Sequence, residues 1–182
     1  LVVRGNMAVT LGALFEIRLA TGATTSRTHT IDGNLNITTA NSVLVVNAGS
    51  SPVVGTLTIG GDLNITAGTL QGLSTTPAND GTSVINLTGN LSNTGGTIQP
   101  GLSTVGVWTW NFNGAGSVTA DAGTTNSFHN IAVAAGKTVT LTNHGMNVAS
   151  GKTVTLAATG NIILGNNDLT INGTSIIAGA TT

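Results

Sequence analysis

Three phrases, Gly33-Asn-Leu-Asn-Ile-Thr, Gly61-Asp-Leu-Asn-Ile-Thr and Gly89-Asn-Leu-Ser-Asn-Thr, open on glycines at a constant spacing of 28. A chain that returns to one local sequence at such a period is written as stacked copies of a single supersecondary unit, since no unit buries its apolar face alone. The register extends back by the same step to Gly5-Asn-Met-Ala-Val-Thr, and forward to Gly116, Gly145 and Gly173 at intervals of 27, 29 and 28. A second glycine column follows six or seven residues later, at Gly12, Gly68, Gly95, Gly123, Gly151 and Gly179, with Ala40 as its one exception.

Within each repeat apolar and polar residues alternate, which is the period of a half-buried strand and not the 3.6-residue period of a helix. Leu57 and Ile59, Ile85 and Leu87, Trp110 and Phe112, Val139 and Leu141, and Leu169 and Ile171 precede the first-column glycines. Their neighbours, among them Thr56, Thr58, Asn86, Asn111, Thr140 and Thr170, face the other way. A second strand follows each glycine (Leu35 and Ile37, Leu63 and Ile65). A variable third comes next (Phe15, Ile17 and Leu19; Val43 to Val46; Leu70; Ile98; Phe128 to Val133; Val154 to Leu156).

Three short strands joined by Gly, Asn, Asp and Ser corners predict an all-β fold: a parallel β-helix, or β-solenoid, right-handed because parallel crossovers nearly always are. Residues 1–182 are read as one continuous solenoid of about 28 residues per coil and about 6.5 coils, starting at Gly5, Gly33, Gly61, Gly89, Gly116, Gly145 and Gly173. With no amphipathic helix or charged segment to cover the open strand edges at either end, the solenoid is expected to continue into further coils, a partner or a cap.

Composition narrows the function. The 182 residues include 33 Thr, 26 Gly and 20 Asn but only 5 Lys+Arg and 6 Asp+Glu, a net charge of −1. Disorder is excluded, because it pairs low hydrophobicity with high net charge and this chain is 40% hydrophobic. The basic residues Arg4, Arg18, Arg27, Lys137 and Lys152 are scattered, so the clustered charge that displaces counterions from phosphates is missing and nucleic acid is not expected as a partner. No apolar run approaches the ~20 residues of a membrane helix. Cysteine is absent, and with it disulfides, thiolate metal sites and a cysteine nucleophile.

Candidate chemistry is sparse. Asp32, Asp62, Asp121, Asp168, Glu16 and Asp80 fall at different phases of the repeat, so no stacked carboxylate pair of the kind used in glycoside chemistry is predicted. His29, His129 and His144 also differ in phase and suggest structural histidines, with His29 turned inward, and not metal ligands. Trp108, Trp110 and Phe112 share one strand face, which would suit a sugar-stacking platform. They occupy the phase held elsewhere by Leu57 and Ile85, however, so core filling is the preferred reading. Asn6, Asn34, Asp62 and Asn90 share one corner, where Asn and Asp tolerate left-handed backbone and bond to main chain. The Asn-x-Ser/Thr sequons at Asn36, Asn64, Asn86, Asn90 and Asn172 follow from the abundance of Asn and Thr. No catalytic, cofactor-binding or metal residue is predicted.

The stretch Trp110-Asn-Phe-Asn-Gly-Ala-Gly-Ser-Val-Thr-Ala, then Asn126-Ser-Phe-His-Asn-Ile-Ala-Val and Gly136-Lys-Thr-Val-Thr-Leu, resembles the repeat region of very large bacterial surface proteins exported by the type IX secretion system. Those repeats read F-N-G-x-G-x-Q-x-I, F-x-N-L-x-I and G-V-x-L, and here Val118 and Ala120 replace the usual Q and I. The resemblance spans roughly residues 55 to 173, and autotransporter passengers and filamentous haemagglutinins are similar in style. It implies an extracellular, bacterial cell-surface location and a structural, non-enzymatic role as a stalk or filament segment of an adhesin. The implied partners are further coils or copies of itself, cell-surface glycans or abiotic surfaces. Two other readings are an ice- or surface-binding solenoid, from the outward pairs Thr28/Thr30, Thr56/Thr58 and Thr140/Thr142, and a carbohydrate-binding β-helix.

Overall fold

Short runs of alternating Thr or Asn with Leu, Ile or Val become short strands, and Gly and Asn at their ends turn the chain. The computed structural model describes residues 1–10, 12, 14–16, 25–41, 43–47, 53–73, 81–100, 106–114, 117–121, 123, 125–172 and 176–178. Among these every regular element is a strand. Strands are numbered in chain order.

One sheet has eight strands, β1 (Val2–Val3), β4 (Arg27–Ile31), β7 (Val54–Ile59), β10 (Thr82–Leu87), β13 (Val107–Phe112), β16 (Asn130–Val133), β19 (Thr153–Leu156) and β22 (Ile176–Ala178), adjacent in that order. A second has seven, β2 (Met7–Val9), β5 (Leu35–Ile37), β8 (Leu63–Ile65), β11 (Leu91–Asn93), β14 (Ser117–Asp121), β17 (Thr138–Leu141) and β20 (Asn161–Ile163). A third has five, β3 (Leu14–Glu16), β6 (Val43–Asn47), β9 (Thr69–Leu73), β12 (Thr97–Gln99) and β15 (Thr125–Asn126). A separate pair, β18 (Met146–Val148) and β21 (Leu169–Ile171), lies beyond it, tied to the chain after β15 by a parallel bridge between Phe128 and Val148. Within each sheet the neighbours are parallel, and each strand pairs with the strand three further along the chain.

The interior is built from the inward half of each alternation. Along the first sheet Ile31, Ile59, Leu87, Phe112 and Val133 stack in register, and beside them Leu57, Ile85, Trp110, Ile131 and Val154. Leu35, Leu63 and Leu91 do the same in the second sheet, and all of these side chains are buried. Burying one such side chain is worth about 1.5–3 kcal/mol before chain entropy is counted, so the stacked columns dominate the favourable side of folding.

At the corner between the first and second sheets, the amide of Gly33 donates to the carbonyl of Gly5 (2.9 Å), Gly61 to Gly33 (3.0 Å) and Gly89 to Gly61 (3.1 Å). A Cβ on Gly61 would collide with Asn34 Oδ1 and lie 2.9 Å from the Gly33 carbonyl carbon. Glycine is required there by close backbone approach.

In the first sheet a regular register holds through β10 and then shortens, whereas the third sheet is uneven from its start, with Leu14 opposite Val43 at a step of 29 and Val43 opposite Thr69 at 26. Partners are separated by a step of 28 from β1 to β10 in the first sheet (Val2 with Thr30, Thr82 with Val54). Thr82 then pairs with Val107 at a step of 25, Trp110 with Ile131 at 21, and Ile131 with Val154 at 23. The predicted coil starts are therefore displaced in the second half. Gly145 directly precedes β18 and stands opposite Asp168, at the corner leading into the third face, while the corner equivalent to Gly61 and Gly89 is held by Gly136, two residues before β17. Gly116 and Gly173 lie outside the described residues. Val139 and Leu141, expected beneath Trp110 and Phe112, belong to the second sheet, and Asn130–Val133 and Thr153–Leu156 belong to the first and not to the third. The physical reason is corner length: interiors constrain the strands, but corners tolerate deletion, and glycine is frequent enough to suggest a false continuation.

Gly72 makes a second close approach. A Cβ there would enter the indole ring of Trp108, which β13 projects across the interior onto β9. We expect Gly72→Ala to cost about 1–3 kcal/mol by overpacking and to red-shift tryptophan emission as Trp108 is displaced. Thr56→Ala, on the outer side of β7, should stay within about 1 kcal/mol. Denaturant unfolding followed by fluorescence measures both.

Candidate functional site

Of the groups singled out in the sequence, the aromatic ones are internal. Trp108, Trp110, Phe112 and Phe128 are all fully buried. Trp110 meets Trp108 and Phe128 edge to face with ring centroids 5.2 Å apart in each case, and stacks on Phe112 at 6.2 Å. They fill the core and, being buried, offer no platform to a ligand.

The shared corner of Asn6, Asn34, Asp62 and Asn90 is a hydrogen-bond ladder. Asn6 Oδ1 accepts from the Asn34 amide (2.8 Å), Asn34 Oδ1 from the Asp62 amide (2.8 Å) and Asp62 Oδ1 from the Asn90 amide (2.7 Å). Each side chain satisfies the backbone donor of the next strand's corner. Side-chain amides also stack on the strands, with Asn64 donating to Asn36 (2.9 Å), Asn111 to Asn86 (2.8 Å) and Gln99 to Gln71 (3.0 Å). Four of the sequon asparagines, Asn36, Asn64, Asn86 and Asn90, are engaged in these ladders.

Outward threonines form two columns on the first sheet. Thr28, Thr56, Val84, Thr109, Asn130 and Thr153 make one, and Thr30, Thr58, Asn86, Asn111, Ala132 and Thr155 the other. Thr140, expected to extend the Thr28/Thr30 pair, belongs to the second sheet.

Among the carboxylates, Asp32 pairs with Arg4 at the surface (3.1 Å), Asp62 belongs to the corner ladder and Asp168 is exposed. Glu16 lies on β3, and Asp80 lies outside the described residues. Asp121 differs from all of them. It ends β14 and is 6% exposed, yet each of its oxygens is bonded. Oδ1 accepts from the Gly123 amide (3.1 Å) and lies 2.8 Å from His144 Nδ1, and Oδ2 accepts from Asn143 Nδ2 (3.0 Å). Burial by itself would raise this carboxyl, but the hydrogen bonds from Asn143, His144 and the Gly123 amide outweigh it and hold it below the ordinary aspartate value.

Sequence phase alone concealed this cluster. The period of the first half sets Asp121 opposite Ala149. The actual partner of Ala120 is Leu141, a step of only 21, which brings Thr142, Asn143 and His144 alongside Asp121. The two other histidines are interior. His29 is lowered by burial and by the neighbouring positive charges of the amino terminus and Arg27. His129, 7% exposed, is lowered to about 4 by burial and then by the charge of Lys152.

Beside the Asp121 cluster runs an open groove of about 380 Å³, whose lining includes Asn126, His144, Asn147, Asp168, Thr170 and Asn172. It follows the seam where the five-stranded sheet stops and the β18–β21 pair begins. Asn126 Oδ1 accepts from the Asn147 amide across that seam (3.0 Å). Among the described residues no three His, Asp or Glu side chains converge as metal ligands would. No family model, curated protein or solved structure matches the chain.

His129, His29 and Asp121 make stability depend on acid pH. Between pH 6.5 and about 4 the unfolded chain binds a proton at His129 that the folded chain refuses. Stability therefore falls as pH drops through that window, by about 3 kcal/mol at most from this residue, and His29 contributes with the same sign. Asp121 adds a further loss below about pH 3.8, as its lowered carboxyl is protonated. Urea unfolding from pH 7 to 3 should show both, with His129→Gln flattening the upper window and Asp121→Asn the lower.

Proposed function

We propose that residues 1–182 are a segment of a right-handed parallel β-solenoid that serves as a rigid, non-enzymatic stalk or filament section of a bacterial surface adhesin. The observation that carries the reading is the pairing rule, each strand parallel to the third strand on, sustained over eight neighbours in the first sheet. At about 4.8 Å per strand those eight span roughly 34 Å. Such an array works by spacing and display: its stacked interior resists bending, and its outward faces carry hydroxyls and amides that stay soluble without net charge. The extracellular location rests on the resemblance of the Trp110 to Leu141 segment to exported surface repeats. The partners that suit it are adjoining coils, further copies of the chain, and glycans or solid surfaces met by the adhesin tip.

A second reading, binding to ice or another ordered surface, is favoured by one observation. Thr28, Thr56, Thr109 and Thr153 share a column on the first sheet, with Thr30, Thr58 and Thr155 in the next. Val84, Asn86, Asn111, Asn130 and Ala132 interrupt the array, which places the stalk reading first. Thermal hysteresis of the purified chain at millimolar concentration would promote this alternative.

Deletion tests the architecture directly. Removing residues 34–61, one full repeat, rejoins equivalent corners and should leave a folded, cooperatively melting β protein. Removing residues 34–47 shifts every later strand out of register and should abolish the cooperative melt. Equal damage from both deletions would overturn the solenoid reading, and saturable turnover of a polysaccharide by the intact chain would overturn the structural role.

A further inference from the structure

We infer that the groove at the seam between β15 and the β18–β21 pair is a binding subsite for a neutral, hydroxyl-rich saccharide, with His144 and Asp168 as its principal contacts. The inference goes beyond the stalk reading and does not depend on it, since it concerns one place where the repeat is broken.

The seam is where the strand register has dropped to steps of 21 and 23. The drop detaches β18 from β15, leaving one residue pair, Phe128 and Val148, to bridge the third face. On the regular part of the first sheet the outward threonines and asparagines stand in columns. Here the corner after β17 turns back over the end of β14, and Asn143 takes a left-handed conformation (φ 61°) to do so. That turn brings Asn143 and His144 onto the Asp121 carboxylate from two sides.

The chemistry of the result is specific. Asp121 is held ionised and spent on Gly123, Asn143 and His144 Nδ1, so it orients the imidazole and makes no ligand contact itself. His144 lines the groove with its side chain 39% exposed, leaving Nε2 as the nitrogen open to a ligand. Asp168 and the hydroxyl of Thr170 line the same groove, and its wall is stiffened by asparagines already engaged in the protein: Asn126 Nδ2 donates to the Gly123 carbonyl (2.8 Å), Asn126 Oδ1 accepts from the Asn147 amide (3.0 Å), and Asn172 Nδ2 donates to Asn147 Oδ1 and to the Val148 carbonyl. Among the described residues no Lys or Arg lines it, which argues against phosphate, sulfate or uronate ligands. A carboxylate, an imidazole and a hydroxyl together complement sugar hydroxyls, which donate and accept. The volume of about 380 Å³ is at the small end of ligand sites, about 300–1,000 Å³, and fits a short saccharide stretch. With no Trp, Phe or Tyr in the lining to stack on a sugar face, affinity should be weak, in the millimolar range.

Saturation-transfer NMR on the whole chain with cellotetraose, chitotetraose, mannotetraose and maltotetraose tests this. At least one should receive saturation, and Asp168→Asn and His144→Gln should each weaken binding at least tenfold. Thr56→Ala, on the first sheet, should leave it unchanged. Asp168 is exposed, so its variant tests the site even where His144→Gln destabilises the fold by unpairing Asp121. Three results would overturn the inference: no transfer to any tetraose, binding indifferent to Asp168→Asn, or equal loss in Thr56→Ala. Groove resonances that shift with Ca²⁺ or Zn²⁺ but with none of the sugars would overturn it in favour of a cation site.

Discussion

Parallel backbone pairing in register, strand over strand, is the constraint on which the rest of the molecule depends. Once Gly33 bonds to Gly5 and Gly61 to Gly33, every side chain is set above one of equivalent phase, about 4.8 Å away. Apolar residues then build continuous columns, and Asn and Gln pass hydrogen bonds from one strand to the next. The same spacing explains the missing charge. Two like charges about 4.8 Å apart repel by about 1 kcal/mol in water and about 3 kcal/mol at a protein surface, and a repeating sequence would multiply that cost by the number of strands. Asp62 is tolerated in its ladder because asparagines, Asn34 and Asn90, stand on either side, and Asn90 donates to it from both its backbone and its side-chain amide.

Shortening of the repeat is the second determinant. It begins at β13, the strand that carries Trp108, Trp110 and Phe112. Gly72 and Ser83 leave room beneath these rings, Gly72 under Trp108 and Ser83 paired with it in register. The second and third sheets keep steps of 29 and 28 as far as β14 and β15; beyond these strands the steps fall to 21 and 23, the third face divides, and Phe128 packs edge to face on Trp110. The aromatic cluster thus fills the interior at the point where two cross-sections of different perimeter meet. Large rings suit a junction of this kind because a few of them bridge a gap that aliphatic columns of fixed spacing would leave open.

The first half of the fold could be read from the sequence almost strand by strand. Its glycines are fixed by backbone contact, so the visible period and the physical period coincide from Gly5 to Gly89, and the strands around Leu57, Leu35 and Val43 follow. Beyond Phe112 the visible period misled. Gly145 continues the glycine count, yet the strands obey interior matching, which sets Ile131 against Trp110 and Leu141 against Ala120. Glycine abundance supplied a false column, and corner length is under no constraint that alternation reveals. The Asp121–His144 contact was hidden for the same reason, since it exists only because the step there has dropped to 21. One signal was available: aligning Ser117-Val-Thr-Ala with Thr138-Val-Thr-Leu, both apolar at alternate positions, gives the shorter step directly.

That failure of the period also bears on where chemistry can arise in such an array. On a regular stack each outward side chain is parallel to its equivalents above and below, so a column presents one functional group many times. A concave set of different groups is geometrically excluded there. Convergence needs a corner that turns inward, a face that ends, or a strand that detaches, and around Asp121 the chain does all three between β14 and β18. The buried carboxylate is informative for this reason. Placing Asp121 6% exposed requires three hydrogen bonds to offset its desolvation, and they come from Gly123, Asn143 and His144, the last two brought in by the shortened register. Among the described residues, the break in the repeat is a place where an ionised group, an imidazole and open volume coincide.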